Sequence, residues 1–183
     1  MVAHYFHKVY HNMEHNELVK QLKADGTAKG LCQLYQLKLR GCNDIEALVK
    51  LFIKGIDFCV NNDYPTLEFM RQNFKGKAEA YGGYVDDEVN EVNLPNAVLN
   101  GECKAIMKYT DYSVSRLIIR HTSKAAVNVE DHAYLTIDIF DNTELYLAVA
   151  GTNAKVFVNV YGDAQVHANG SGIQVVNKHK NRY

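Results

Sequence analysis

The apolar positions of this chain change period once. Through roughly the first 75 residues they recur at helical spacing, and beyond about residue 100 they alternate. Val2, Tyr5, Phe6, Val9, Tyr10 and Met13 fall at i, i+3, i+4, i+7, i+8 and i+11, one face of a helix. A second segment with Leu18, Val19 and Leu22 is predicted to end near Asp25-Gly26, and a third with Leu31, Leu34 and Tyr35 at Gly41. The clearest predicted helix covers 44–61. Asn43 is its expected N-cap, Glu46 completes a capping-box-like pair, and Ile45, Leu48, Val49, Phe52, Ile56, Cys59 and Val60 form its apolar stripe. A short helix over 65–73 follows, so 1–76 reads as a helical domain. Tyr81-Gly82-Gly83-Tyr84, the acidic residues Asp86, Asp87, Glu88 and Glu91, and Pro95-Asn96 mark 77–100 as a connector.

Residues 101–183 read as strands. Leu135, Ile137 and Ile139 alternate with Tyr134, Thr136 and Asp138, and Leu145, Leu147, Val149 and then Val156, Val158, Val160 do the same. The column Leu135, Leu145, Val156, Val166 advances by 10, 11 and 10 residues, and the columns beginning at Ile137 and Ile139 keep that spacing. Turn formers precede each strand: His132-Ala133, Asn142-Thr143, Asn153-Ala154 and Asp163-Ala164. A fixed-period aliphatic ladder separated by Asn, Asp and Gly is the mark of stacked repeats. Two units make a coil of about 21 residues, so the prediction is α+β, with the helical domain followed by a short β-solenoid of the parallel β-helix kind. A hairpin meander or small sandwich is the competing reading. The array is predicted to start near Val114, with Leu117 and Ile119, and to continue through Ala125, Val127 and Val129 in roughly three coils. The helices could cover its N-terminal end, and the 178–183 tail or a partner subunit its C-terminal end.

Composition narrows the function classes. The 183 residues include 20 Lys plus Arg and 21 Asp plus Glu, a formal charge of -1, which excludes the basic balance of a duplex-nucleic-acid binder. No apolar run reaches the ~18 residues of a membrane span, and His4, His7 and Lys8 interrupt any leader-like stretch, so a cytoplasmic protein starting at Met1 is expected. Cys32, Cys42, Cys59 and Cys103 lack zinc-knuckle or redox spacing and are expected as reduced thiols.

Candidate chemistry is sparse. His4, His7, His11 and His15 would line one helical face opposite the apolar one; imidazoles at i and i+4 can chelate Zn²⁺, but no carboxylate or Cys stands at ligand spacing. There is no nucleophile elbow, phosphate loop, zincin motif or Rossmann glycine pattern, and no cofactor is expected. Asp57, Asp63 and Glu68 read as caps or solvated charges rather than an acid/base pair. On the outward side of the repeat, Tyr134, Tyr146, Lys155, Phe157 and His167 suggest a binding or self-association surface, unless the helices cover it. Arg116 and Arg120, near the expected junction with the helices, could hold phosphates. The basic tail Lys178-His179-Lys180-Asn181-Arg182 reads as a solvated terminus.

The phrases Gly55-Ile56-Asp57-Phe58, Asn62-Asp63-Tyr64-Pro65-Thr66-Leu67-Glu68-Phe69 and Phe74-Lys75-Gly76-Lys77, followed by Asn153-Ala154-Lys155-Val156-Phe157-Val158 and Asp163-Ala164-Gln165-Val166, resemble uncharacterised small proteins of gut Bacteroidetes and their phages or prophages. The similarity covers about residues 28–178 and brings no activity or functional residue. It implies a mobile-element or phage setting, with host cytoplasm as the compartment. The expected function is therefore a non-enzymatic accessory or structural protein that self-associates and binds a partner. The alternatives are an anti-defence module sequestering a small nucleotide signal and a metal-dependent enzyme using the His stripe.

Overall fold

A computed structural model describes residues 14–183. Its first part holds helices α1 (His15–Ala28), α2 (Gln33–Arg40), α3 (Ile45–Lys54), α4 (Ile56–Asn62) and α5 (Leu67–Asn73), then one 3-10 turn at Glu79–Tyr81. The expected stop at Asp25-Gly26 comes later. The helix continues to Ala28, where Leu31 N–H donates to Gly26 O at 2.8 Å and Gly30 N–H to Thr27 O at 3.0 Å. With Gly30 at φ +88°, this is a left-handed stop that satisfies the last carbonyls.

The predicted 44–61 helix is divided at Gly55, which ends α3 and begins α4. A Cβ there would lie 2.8 Å from the Tyr35 ring, so the close approach of α2 explains the glycine. The N-cap is Asp44 rather than Asn43: its carboxylate accepts from Ala47 N–H at 2.8 Å.

Eleven strands follow among the described residues: β1 (Gly83–Val85), β2 (Glu88–Val92), β3 (Asn96–Asn100), β4 (Lys104–Tyr109), β5 (Val114–Ile119), β6 (Lys124–Val129), β7 (Tyr134–Ile139), β8 (Glu144–Val149), β9 (Lys155–Val160), β10 (Gln165–Gly170) and β11 (Ile173–Asn177). The odd strands make one sheet, β1-β3-β5-β7-β9-β11, and the even strands the other, β10-β8-β6-β4-β2. Every pairing is parallel. The chain is thus a C-terminal β-solenoid behind a helical domain, and a hairpin meander, which pairs antiparallel, is excluded. Lys104, Lys124, Glu144 and Gln165 stand in register, so successive coils take 20, 20 and 21 residues.

The array is longer than the sequence suggested. The expected connector 77–100 contains β1, β2 and β3, and the solenoid starts at Gly83. Its register steps are short, Gly83 pairing with Val98 and Glu88 with Lys104, so the ten-residue rhythm fails there. Val114 is not an inward position. It is 73 % exposed, while Leu117 and Ile119 face the interior.

Corners repeat every ten residues through a left-handed residue: Asp111, His121, Asp131 and Asp141 have φ between 54° and 63°. Asp tolerates this region better than most side chains. Their side chains also join coils. Asp141 accepts from His121 N–H at 2.9 Å, His121 Nδ1 from Gly101 N–H at 3.0 Å, and Asp131 from Asp111 N–H at 3.1 Å. The turn chemistry expected at His132-Ala133 and Asn142-Thr143 therefore centres one residue upstream.

Two apolar cores form. Inside the coils, Leu117, Ile119, Leu135, Ile137, Ile139, Val156 and Val158 of one sheet face Met107, Val127, Val129, Leu145 and Leu147 of the other. The second core lies outside the six-stranded sheet. There Val98, Ile118, Phe140 and Tyr161 pack with Leu18, Leu22, Leu31, Ile56, Val60 and Tyr64. The helices thus lie along the side of the solenoid. They also reach its first coil, where Val49 and Ala78 stand against Gly83. Asp86, accepting from Arg71 Nε at 2.7 Å and Glu102 N–H at 2.8 Å, ties α5 to that coil.

Candidate functional site

The exposed aromatics expected to form one surface occupy two. Because a coil takes two ten-residue units, neighbouring units lie in opposite sheets. Tyr146 of β8 and His167 of β10 are register partners on the five-stranded sheet, their rings stacked at 4.9 Å. Glu144 accepts from the Tyr146 hydroxyl and pairs with Lys124 at 2.6 Å. On the six-stranded sheet, Tyr134 packs on Phe157 with ring centroids 5.5 Å apart, and Lys155 stands opposite Tyr134 in register. Phe157 is half-buried. A further stacked pair, Tyr112 on His132 at 4.8 Å, occupies a corner. Their separation of one coil is the signal that would have found it.

Arg116 and Arg120 join the helices to the solenoid instead of presenting free guanidinium groups. Arg116 donates to Asp138 Oδ2 through Nε at 3.2 Å and Nη2 at 2.9 Å, and to the Tyr183 hydroxyl at 2.9 Å. Asp57 of α4 lies 3.8 Å from the same guanidinium. Asp138, 2 % exposed, also accepts from the Tyr183 hydroxyl at 2.9 Å and from Asn159 Nδ2 at 2.7 Å. Tyr183 meets the stacked rings of Phe140 and Tyr161 edge-on, at 5.0 and 5.4 Å. The basic tail expected to be solvated therefore ends inside this seam. Burial and the Asp138 carboxylate push the Tyr183 hydroxyl far above its ordinary pKa.

Arg120, 1 % exposed, reaches Asp63 Oδ1 at 3.3 Å and Asn100 Oδ1 at 3.4 Å. Burial pulls its pKa below the usual guanidinium range, against the opposing pull of Asp63. His121 and Arg120 together hold the Asp63 carboxyl below its ordinary value. The Arg120 contact is within hydrogen-bond reach, whereas His121 Nε2 stands 4.0 Å away.

The sign of the pH effect follows. Asp63 binds protons less readily folded than unfolded, so its contribution is complete above the unfolded pKa of about 3.9 and disappears as pH falls through the lower folded value. Asp86, held down by Arg71, acts in the same direction. Thermal melts from pH 5 to pH 2 should show Asp63→Asn losing less stability than the parent chain. Identical profiles would mean that this contact contributes nothing.

The helices and the first coil frame an open apolar cavity of about 350 Å³, whose lining includes Leu31, Leu48, Leu51, Phe52, Phe58 and Phe74. Its interior polar groups are already satisfied or neutral. The Tyr64 hydroxyl donates to Leu22 O at 2.7 Å, Asn100 Nδ2 to Tyr84 O at 3.1 Å, and burial pushes the Cys59 thiol up to about 12. Exposed Cys32, Lys54 and Asp57 mark its mouth. The cavity opens to solvent at that mouth, and its mostly apolar lining favours an apolar occupant that removes this surface from water. No sequence period signals it, because its lining is gathered from all five helices and from β1 and β3.

Of the histidine stripe, His4, His7 and His11 lie outside the described residues; His15 Nε2 stands 2.9 Å from Cys42 O. Among the described residues no three His, Cys, Asp or Glu side chains gather as a metal site, and no helix is long and apolar enough to cross a membrane. Compared with protein-family models, with curated proteins and with solved structures, the chain gives no match.

Proposed function

We propose that this is a non-enzymatic accessory or structural protein that pairs with a second copy of itself through the C-terminal end of its solenoid, in the phage or mobile-element setting that the sequence resemblance implies. The observation carrying this reading is the asymmetry of the two ends. At the first coil Tyr84, Val85 and Val89 are buried, with Val49 and Ala78 against Gly83. At the last coil Val166 and Ile173 are only half-buried, Ala168 is exposed and Val175 is 48 % exposed, although all four continue the inward columns. β10 pairs only with β8 and β11 only with β9, leaving one ladder edge on each; β1 and β2 are edge strands at the other end too, so the two ends differ in burial rather than in pairing. The tail does not close this end. It turns back along the corner of β9, where Gly162 N–H donates to Lys180 O at 3.1 Å.

An open end with a free backbone edge is an association template. Among the described residues the last coil is the one whose inward side chains are left exposed, so the contact is isologous and closes at two copies rather than growing into a filament. Strands about 20 Å long in sheets about 10 Å apart offer a small end face, below the area of standard stable interfaces. A dissociation constant of roughly 10–100 µM is therefore expected.

Light scattering after gel filtration should give a mass rising from 20.7 kDa towards twice that value as concentration increases. Val175→Lys should hold the chain at the lower mass, while Tyr146→Lys, on the solenoid's side, should leave the rise unchanged. A parent chain monomeric up to about 500 µM, or an unaltered rise in Val175→Lys, would refute the reading.

A further inference from the structure

We propose that the cavity in the helical domain is a binding site for a small amphiphile with an apolar body and one anionic head, such as a medium-chain carboxylate. The inference is independent of how the solenoid end associates. The body follows from the lining. The leucine and phenylalanine side chains offer no polar partner, the Tyr64 hydroxyl and the Asn100 amide are committed to protein carbonyls, and the Cys59 thiol is buried. A polar ligand would lose its hydration without replacement, whereas an apolar one buries its surface against the lining.

Size limits the class further. A cavity of 150 Å³ accepts a benzene ring, so about 350 Å³ admits a chain of roughly a dozen carbons. The head is assigned by the two charges at the mouth. Asp57 is drawn towards Arg116, 3.8 Å away, whereas Lys54 at the end of α3 faces solvent. A carboxylate at the mouth would meet the Lys54 ammonium while its chain enters between Leu48, Leu51 and Phe52.

The test uses the full chain with decanoate and 1-decanol as probes, both below their aggregation concentrations, read by melting temperature and titration calorimetry. Both probes should raise the melting temperature, because each binds only the folded state. Lys54→Glu should weaken decanoate at least tenfold and leave decanol unchanged. Leu51→Trp, which fills the cavity, should abolish both while the chain itself melts no lower.

Loss of binding in Leu51→Trp without any effect of Lys54→Glu would overturn the anionic head. Binding unaffected by both variants would place it elsewhere and overturn the site. A parent chain that binds neither probe also overturns the proposal.

Discussion

Replacing Asp138 by Ala is expected to lower the unfolding free energy by about 3 kcal/mol, the low end for removing one partner from a buried ion pair. The carboxylate receives Arg116, the Tyr183 hydroxyl and Asn159, and it stands on the outward face of β7 beneath the helices. Removing it leaves donors from three side chains aimed at a vacated position. Arg116 is half-exposed and can recover water, whereas the Tyr183 hydroxyl is enclosed by the rings around it, so the penalty is concentrated in the tail. Asp138→Asn keeps the shape and one acceptor, and should cost less than half as much. Urea unfolding followed by tyrosine fluorescence measures both. If the two variants were equal, the charge rather than the hydrogen-bond geometry would hold the seam.

The adjacent position tests the other core. Ile137→Ala should cost 2–5 kcal/mol, because the side chain is fully buried between Leu117 and Val158 of the neighbouring coils. Those neighbours are held at ladder spacing by parallel hydrogen bonds and cannot close over the void, which favours the upper part of the range. Guanidinium unfolding read by circular dichroism should show the loss. A cost under about 1 kcal/mol would mean that the column repacks and that coil spacing is softer than the ladder implies. Ile137 and Asp138 are consecutive, yet one change empties the solenoid and the other loosens its attachment to the helices.

The alternation of Leu135, Ile137 and Ile139, and its recurrence after 10, 11 and 10 residues, carried the solenoid in the sequence. Inward side chains must repeat wherever coils stack, so this part of the fold is local in origin. The seam was less legible. Asp138, Arg116 and Arg120 lie among outward positions of the strands, and alternation alone reads such positions as solvent-facing. Their burial depends on helices that come earlier in the chain, and no period records that contact. The division of the aromatics follows from two units making one coil: successive units lie on opposite sides, so Tyr146 with His167 and Tyr134 with Phe157 belong to separate faces, each pair about one coil apart in sequence.

What the sequence determined by itself is what short-range sterics and side-chain alternation specify: helices first, then repeating strands, turns at Asp- and Gly-bearing corners, and a break in character near residue 76. Tertiary structure alone decided that the helices lie along the solenoid's side, that β1–β3 belong to the coils, that Tyr183 ends in the seam, and that one coil is open while an apolar cavity remains among the helices. These depend on which surfaces meet. The outer positions Val98, Ile118, Phe140 and Tyr161 bury against helices distant in sequence, and the free energy of that contact comes from area removed from water rather than from any local pattern.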